Sequence, residues 1–219
     1  MLNEEALPGE QGSAAWLMER VGKVTASNFK HVMDVLKNGN PSAKRQQYLL
    51  DIVIERLTGK PTEHYMTDPM MRGVEMEPFA RMRYEAESGN LVTESGFIHH
   101  HELAFVGGSP DGLVGDDGMI EIKCPTTRTH IEQWLSGECE HLPQIQGLLW
   151  ITGRAWCDFI SYDERLPQER LQYCCKRIMR DDTYIELLSA GVIKFLSEVD
   201  GMLVGIEAKS ASGNEEDPT

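Results

Sequence analysis

Residues 109–125 read SPDGLVGDDGMIEIKCP, a pattern that predicts two short strands joined by a polar Gly-Asp-Asp-Gly turn. Because side chains on a strand alternate between its two faces, Glu121 and Lys123 project to one side, and the isoleucines that flank Glu121 project to the other. A hairpin places Asp111 beside this pair. We therefore expect two carboxylates and a lysine to meet at one point, with apolar side chains behind them.

This combination of side chains indicates chemistry assisted by a metal ion. Carboxylate oxygens are the ligands that a hard cation such as Mg²⁺ prefers. A lysine beside such a cation can hold a water molecule or help to deprotonate it. An Asp-Gly turn or an exposed Glu-x-Lys is, by itself, usually ordinary solvated surface, and the pattern is specific because both occur in one hairpin. The reaction that it predicts is metal-assisted hydrolysis of a phosphodiester.

The same residues resemble a known group of enzymes. Pro-Asp-Gly, a short spacer and an apolar-Glu-apolar-Lys strand resemble the PD-(D/E)xK nuclease superfamily. The fuller form, Ser-Pro-Asp-Gly-Leu with Glu-Ile-Lys-Cys-Pro, is similar to the lambda exonuclease (YqaJ-type viral recombinase) family. The resemblance extends from about Arg20 to about Trp156, with the motifs in family order, and it implies a restriction-endonuclease-like core. The order of predicted elements likewise indicates an α+β (α/β) fold with a central mixed β-sheet flanked by helices.

The resemblance implies a role for each residue of the metal site. Asp111, Glu121 and the backbone carbonyl of Ile122 would bind two Mg²⁺ ions, for which Mn²⁺ could substitute, and Glu77 would assist them. Two ions about 4 Å apart can stabilise both the attacking water and the leaving oxygen. Lys123 would orient or activate that water.

Two further site residues come from other segments. Glu77 lies four residues after Gly73 and matches the family's Gly-x-x-x-Glu; the plain alternative is a solvated helix face, which is our interpretation of Glu75. Gln144 and Gln146 match a Gln-x-Gln of the family, whose first glutamine lies near metal and phosphate. Since residues two apart on a helix face different directions, we favour Gln144 as the catalytic-site residue and hold Gln146 second.

Residues 20–27, RVGKVTAS, suggest a phosphate site. Hydroxyl and N–H groups near a helix start favour anions, and Arg20 can make a bidentate contact to phosphate. The plain alternative is helix capping. The stretch resembles the family's Gly-x-Ile-Thr-Ala-Ser motif, with an arginine at the matching upstream place. That resemblance implies that Arg20, Ser27 and Ser109 hold the terminal 5′-phosphate of DNA.

Length and composition limit the alternatives. A chain of 219 residues is sufficient for a single exonuclease domain, expected at residues 13–209, with a flexible N-terminus at 1–12 and a disordered acidic tail at 210–219. The chain has no apolar run of membrane-spanning length, no signal peptide and no Cys-x-x-Cys among its five cysteines. These features predict a cytoplasmic protein with free thiols and without a zinc or iron–sulfur site.

The net charge of −14 argues, on its face, against binding to nucleic acid. Its distribution changes that conclusion. Residues 20–60 contain eight Lys/Arg and three Asp/Glu, a net charge of +5, so the remainder carries −19. A local basic face on an acidic body can bind phosphates, while the acidic remainder repels DNA elsewhere.

Capping residues and apolar periodicity predict the other elements. Ser13 and Ser42 are expected N-caps, Pro78 is expected to kink its helix, and the apolar stripe of the third helix extends to Leu57. Helices are predicted at residues 14–20, 25–36, 43–57, 70–88, 126 or 127 to 135, 144–152 and 182 to 202 or beyond, and strands at 91–98, 104–106, 111–123, 155–161 and 171–178.

Two conspicuous clusters receive no site role. The adjacent histidines His99, His100 and His101 alternate between faces of a strand and cannot all bind one metal. The methionines of a second cluster indicate adaptable packing or the lining of a path for a DNA end, and the sequence does not decide between them. They are Met66, Met70, Met71 and Met76.

The expected function is that of an Mg²⁺-dependent exonuclease that degrades one strand of linear double-stranded DNA from the 5′ end. The resemblance implies 5′-mononucleotides and a 3′ single-stranded tail as products, a ring-shaped homotrimer, and a single-strand annealing protein as partner. An endonuclease or resolvase of the same superfamily, usually dimeric, is the alternative among enzymes. A non-catalytic DNA-end-binding module is the alternative from another class, disfavoured because Asp111, Glu121 and Lys123 are all present.

Overall fold

The computed structural model describes residues 11–62, 66–137 and 139–213. The α-helices in these ranges are α1 (Ala14–Arg20), α2 (Phe29–Val32), α3 (Ala43–Thr58), α4 (Asp68–Ser88), α5 (Thr127–Ser136), α6 (Leu142–Thr152) and α7 (Asp182–Gly213). The strands are β1 (Val24–Thr25), β2 (Val92–Thr93), β3 (Ile98–His99), β4 (Val106–Gly108), β5 (Gly112–Val114), β6 (Gly118–Lys123), β7 (Trp156–Tyr162) and β8 (Tyr173–Met179). Among the helices described, none is long and apolar enough to cross a membrane.

The strands form two sheets. The larger has the order β2-β5-β6-β7-β8, and the smaller has the order β1-β4-β3. In the larger sheet β6 and β7 are parallel and the other pairs are antiparallel; in the smaller sheet β1 and β4 are parallel and β3 and β4 antiparallel. The predicted α+β fold with mixed sheets flanked by helices is therefore confirmed.

Strand β6 is buried on both faces. Its isoleucines, Ile120 and Ile122, pack in a cluster with Ala80 and Tyr84 of α4. The opposite face, which carries Met119, belongs to a larger cluster that includes residues of α2, α3, α6 and α7. Glu121 is on the same face as Met119, so its carboxylate projects into the core side of the sheet, beneath α6.

The predicted N-caps Ser13 and Ser42 agree with the structure, whereas the helix predicted at 144–152 begins earlier, at Leu142. The side chains of Ser13, Ser42 and Thr126 accept hydrogen bonds from backbone N–H groups in the first turns of α1, α3 and α5. Helix α4 begins two residues earlier than expected. It extends from Asp68 to Ser88 and includes Pro78 without a break.

The prediction of a helix at residues 25–36 is wrong at both ends, since Thr25 belongs to β1 and the α-helix ends at Val32. A 3₁₀ turn over Ala26–Asn28 leads into α2, which ends at Val32. Beyond it, the N–H of Leu36 donates to the carbonyl of Asn40 at 2.8 Å, and the N–H of Gly39 donates to the carbonyl of Leu36 at 2.8 Å. The turn before Pro41 therefore takes the backbone groups that a longer helix would need, and the Leu36 side chain is left 52% exposed.

Other predictions also need correction. The strand predicted at residues 91–98 is two short strands in different sheets, β2 and β3. Leu57, predicted to be in the apolar stripe of α3, is 52% exposed. Met66, Met70 and Met71 are also exposed, so packing inside the protein does not explain them.

The two ends of the chain differ partly from expectation. Gln11, within the predicted flexible segment, donates a hydrogen bond to the carbonyl of Pro110 at 2.9 Å. Helix α7 continues to Gly213, so the first residues of the predicted acidic tail are helical. The rest of both predictions, at residues 1–10 and 214–219, lies outside the described residues.

The three adjacent histidines have different environments. His100 is buried, and its Nδ1 accepts hydrogen bonds from the N–H groups of Glu102 and Leu103 at 3.1 and 3.2 Å. His99 and His101 are exposed. His100 therefore supports the turn that precedes β4.

A buried ion pair fixes α3 against α7. Arg45 is 5% exposed, and its guanidinium makes a bidentate contact with Glu198 at 2.7 and 3.1 Å. It also donates to the carbonyl of Val32 at 3.0 Å. This contact holds the basic segment of the chain to the main body.

Candidate active site

The first strand of the hairpin begins just after Asp111, and the second strand carries Glu121 and Lys123. The Oδ2 atom of Asp111 accepts a hydrogen bond from the N–H of Ile122 at 2.6 Å. This bond crosses the hairpin and fixes the Asp111 carboxylate beside the end of β6. The register of the hairpin thus brings the two acids of the motif together, as the sequence predicts.

The Glu121 side chain is fully buried. Its Oε1 atom accepts hydrogen bonds from Nζ of Lys123 and from Nε2 of Gln144, each at 2.5 Å. Its Oε2 atom is buried and has no hydrogen-bond partner in the part of the chain that the structure describes. Leaving a buried carboxylate oxygen unpartnered is costly, so this atom is a suitable ligand for a cation.

Electrostatic repulsion among the acids also favours a cation. Burial, and then repulsion from Asp111, raises the pKa of Glu121 to about 8 and the pKa of Glu77 to about 7. Burial also raises the pKa of Asp111. Burial lowers the pKa of Lys123, but the nearby Glu121, Asp111 and Glu77 carboxylates outweigh it, and the net shift is upward. Full ionisation of the three acids would place more negative charge here than this lysine neutralises, so a proton or a bound cation is needed.

Glu77 is less closely joined to the site. Its carboxylate accepts a hydrogen bond from Arg81, one turn later on α4, at 2.8 Å. Arg81 also contacts Glu94. Within residues 11–62, 66–137 and 139–213, no three His, Cys, Asp or Glu side chains converge closely enough to hold an ion. The structure therefore brings Asp111 and Glu121 together, while Glu77 acts on them through its charge and is turned toward Arg81.

The predicted phosphate residues lie in the same cleft as the acids. A cavity of about 180 Å³ is lined by residues from both groups. The Nη2 atom of Arg20 lies 3.4 Å from Oγ of Ser27. Three separated segments thus converge beside the hairpin. The predicted residues that line the cavity are Arg20, Ser27, Ser109, Asp111, Glu121, Lys123 and Gln144.

The structure separates the two glutamines. Gln144 donates to Glu121, whereas Gln146 is 2% exposed and its amide joins other elements. Gln146 donates to the carbonyl of Met179 at 2.8 Å and accepts from the N–H of Asp181 at 2.9 Å. Gln146 therefore connects α6 to the segment between β8 and α7 and does not reach the cleft.

Two cleft residues were not predicted from the sequence. Trp16 donates from Nε1 to Oγ of Ser109 at 2.8 Å, and its ring lies 4.2 Å from the guanidinium carbon of Arg20. Gln11 donates to the carbonyl of Pro110. The spacing of Trp16 and Arg20, four residues apart on one helix, is the signal that could have indicated the contact between their side chains.

Arg72 is a further residue that the sequence did not single out. It lies on α4 and donates to the carbonyls of Cys124 and Pro125 at 3.0 and 3.1 Å, directly after Lys123. It also donates to Asp163 at 3.0 Å and to Glu164 at 2.5 and 3.2 Å. Arg72 therefore fixes the end of β6 to α4 and to the segment that follows β7.

Comparison with known proteins finds a matching family model and similar structures. Residues 15–155 match the family model of the YqaJ-like viral recombinase domain. The fold is similar to an alkaline exonuclease, LHK-Exo from Laribacter hongkongensis, with 45% sequence identity and a TM-score of 0.83 over 90% of this chain and 97% of that chain. A structure of LHK-Exo in complex with dAMP gives the same identity and coverage with a TM-score of 0.84.

A more distant structure shares the fold alone. It is a phage-related exonuclease from Haemophilus somnus, with 16% identity and a TM-score of 0.66 over 84% of this chain and 96% of that chain. No curated protein sequence matches the chain significantly.

The buried Glu121 gives a prediction for stability. Since its pKa is raised from 4.5 to about 8, the folded protein retains a proton that the unfolded chain releases. The stability that this proton contributes is fully present below the unfolded pKa and is lost as pH rises through the folded pKa. Metal-free Glu121→Gln protein, which cannot ionise there, should exceed the wild type in free energy of unfolding above about pH 8, by on the order of 1–3 kcal/mol.

This difference should shrink toward about pH 5, and denaturant unfolding in a chelating buffer measures it. The control is Glu132→Gln, an exposed exchange of the same kind on α5. A stability difference between Glu121→Gln and wild type that stays constant with pH would contradict the prediction.

Proposed function

The chain belongs to the YqaJ-like viral recombinase family, and from that premise we propose that it is a divalent-metal-dependent 5′-to-3′ exonuclease acting on linear double-stranded DNA. Mg²⁺ is the metal proposed, with two ions in each active site and Mn²⁺ as a substitute. The products are 5′-mononucleotides and a 3′ single-stranded tail for recombination by strand annealing. The proposed exonuclease domain is residues 13–209, and the proposed setting is the cytoplasm.

One observation carries this proposal: a buried Glu121 oxygen, without a partner among the described residues, lies in a cleft with Asp111, Lys123 and a candidate phosphate pocket. Asp111, Glu121 and the carbonyl of Ile122 would hold the metal, with Glu77 contributing negative charge. When bound, the metal supplies Lewis-acid stabilisation of the phosphodiester oxygens. Hard carboxylate donors that are crowded together and short of positive charge fit Mg²⁺.

The residues of the chain have distinct tasks in this proposal. Glu121 holds the ammonium of Lys123 at 2.5 Å, so Lys123 is fixed in direction. Because the pKa of Lys123 is raised by the acids that outweigh its burial, it is protonated at neutral pH and orients the attacking water as a hydrogen-bond donor. Gln144 donates to the same oxygen of Glu121, Oε1, and so helps to fix the carboxylate while leaving Oε2 to a cation. The Ile122 N–H holds the Asp111 carboxylate beside the end of β6, where it would contribute to cation binding.

The proposed 5′-to-3′ direction of degradation depends on the part of the cleft that would bind phosphate. Arg20, Ser27 and Ser109 present donors beside Asp111, where a terminal 5′-phosphate would be held one nucleotide from the bond to be cleaved. A pocket of this kind is refilled after each cut if the broken bond is the one to the 3′ oxygen. The complex of LHK-Exo with dAMP, a deoxynucleoside monophosphate, supports a mononucleotide product.

Removing the site residues should abolish hydrolysis. Asp111→Asn, Glu121→Gln and Lys123→Ala should each lower Mg²⁺-dependent degradation of end-labelled linear duplex by at least about a hundredfold, because each removes a group that acts on the reacting phosphate. Circular dichroism tests whether each variant is folded, and Glu132→Gln serves as the active control.

The same assay separates the alternatives. Gradual loss of nucleotides from linear duplex, with closed circular duplex left intact, is the result expected for an exonuclease. Cutting of the circles would instead indicate an endonuclease or resolvase. DNA binding without degradation in the presence of Mg²⁺ would indicate a non-catalytic end-binding module.

A second prediction tests polarity. Wild-type enzyme should digest 5′-phosphorylated linear duplex faster than 5′-hydroxyl duplex. Arg20→Ala should reduce this ratio by roughly ten- to a hundredfold, the equivalent of losing a charge-assisted contact of about 1.5–3 kcal/mol. Its rate on 5′-hydroxyl ends should change little. An Arg20→Ala enzyme with the full preference would show that Arg20 only supports helix α1.

A third prediction concerns assembly. We propose a homotrimeric ring around DNA, with a single-strand annealing protein as its partner; such a ring keeps DNA in place topologically and does not require tight binding. Sedimentation or light scattering should give about three times the 24.7 kDa chain mass. A stable monomer or dimer at micromolar concentration would contradict the ring and favour the resolvase-like alternative.

A further inference from the structure

We infer that Trp16 is a positioning residue that sets the selectivity of the cleft for a terminal phosphate. Its ring holds the guanidinium of Arg20, and its N–H holds the hydroxyl of Ser109. One rigid indole thus joins two of the three groups proposed to bind the phosphate. This inference rests on the proposed function and explains how that pocket is built.

The contact with Arg20 fixes a cation and leaves its donors available. The guanidinium carbon lies 4.2 Å from the centre of the Trp16 ring and 5.8 Å from that of Phe97. A ring face attracts a guanidinium without accepting its N–H bonds, as a carboxylate would. The contact to Ser27 is long, at 3.4 Å. Arg72, in contrast, uses its guanidinium on carbonyls and carboxylates of the protein.

The contact with Ser109 fixes the direction of a proton. An indole N–H can only donate, so Oγ of Ser109 is the acceptor in the 2.8 Å hydrogen bond. The serine O–H is therefore not used toward Trp16 and can donate to another group. Gln11 restrains the same turn through the carbonyl of Pro110. Ser109 therefore offers the cleft a donor, which suits an anion.

The position of these groups connects phosphate recognition to the acids. Ser109 is two residues before Asp111, and both line the cleft with Arg20 and Trp16. Movement of the indole would therefore displace Arg20 and Ser109 relative to Asp111. This predicts an effect of Trp16 on discrimination between DNA ends that is larger than its effect on cleavage itself.

The experiment compares rates on 5′-phosphorylated and 5′-hydroxyl linear duplex in Mg²⁺. Trp16→Ala removes the ring and the N–H and should lower the phosphate-to-hydroxyl ratio roughly two- to thirtyfold. Trp16→Phe keeps a ring and removes the N–H, so it should lower the ratio by a smaller factor. In the Arg20→Ala background, Trp16→Ala should lower the ratio by a smaller factor than it does in the wild type, because only the part of its effect that passes through Ser109 remains.

Trp134→Phe is the matched control. It removes an indole N–H hydrogen bond, to His130 at 3.2 Å, from a tryptophan on α5 that does not line the cleft. Its ratio should equal that of the wild type. If Trp16→Ala does not fold, Trp16→Phe together with the double variant Trp16→Phe/Arg20→Ala provides the test.

Two outcomes would overturn the inference, and they are distinguishable. A folded Trp16 variant that loses rate equally on both substrates, or keeps the full ratio, would show that Trp16 has only a structural or general DNA-binding role; the phosphate pocket would stand. A wild-type ratio near one would overturn the phosphate pocket itself and the role of Trp16 with it.

Discussion

Burying a carboxylate costs free energy that only close partners can offset, and Glu121 imposes this cost at the centre of the larger sheet. Strand β6 supplies one partner two residues later, Lys123, and helix α6 supplies the other, Gln144. Neither satisfies the second carboxylate oxygen. The order of strands and the position of α6 therefore produce a site that is incomplete without a further positive charge, which is the condition for metal-assisted chemistry.

The charges of the chain become consistent with DNA binding once they are located. A net charge of −14 would oppose contact with a polyanion if it were spread evenly. Instead, Asp111 and Glu121 lie together where a divalent cation would neutralise them, and Arg20 lines the same cleft. In the proposed function, phosphate is attracted at one place, between Asp111 and Glu121 with a bound cation and the guanidinium held by Trp16.

Local patterns predicted most of the fold and of the site, and contacts between distant segments account for the failures. The alternation in β6 and the caps at Ser13 and Ser42 follow from neighbouring residues, so the sequence was sufficient for them. The end of α2 depends on a competing turn, whose hydrogen bonds a helical period does not reveal. Which glutamine reaches Glu121 depends on how α6 lies on the sheet. Trp16 was missed because its partner Ser109 is 93 residues away.

The two faces of strand β6 restrict how the protein can evolve. A substitution on either face disturbs the packing of the core or the candidate active site. One face packs Ile120 and Ile122 against α4, and the other carries Glu121 and Lys123. A core substitution that shifts the first pair by a fraction of an ångström also moves the second, since all four share one backbone. Substitutions in the core next to this strand therefore alter the positions of the site side chains and are subject to selection on activity. Elements that do not touch β6 can vary without this constraint.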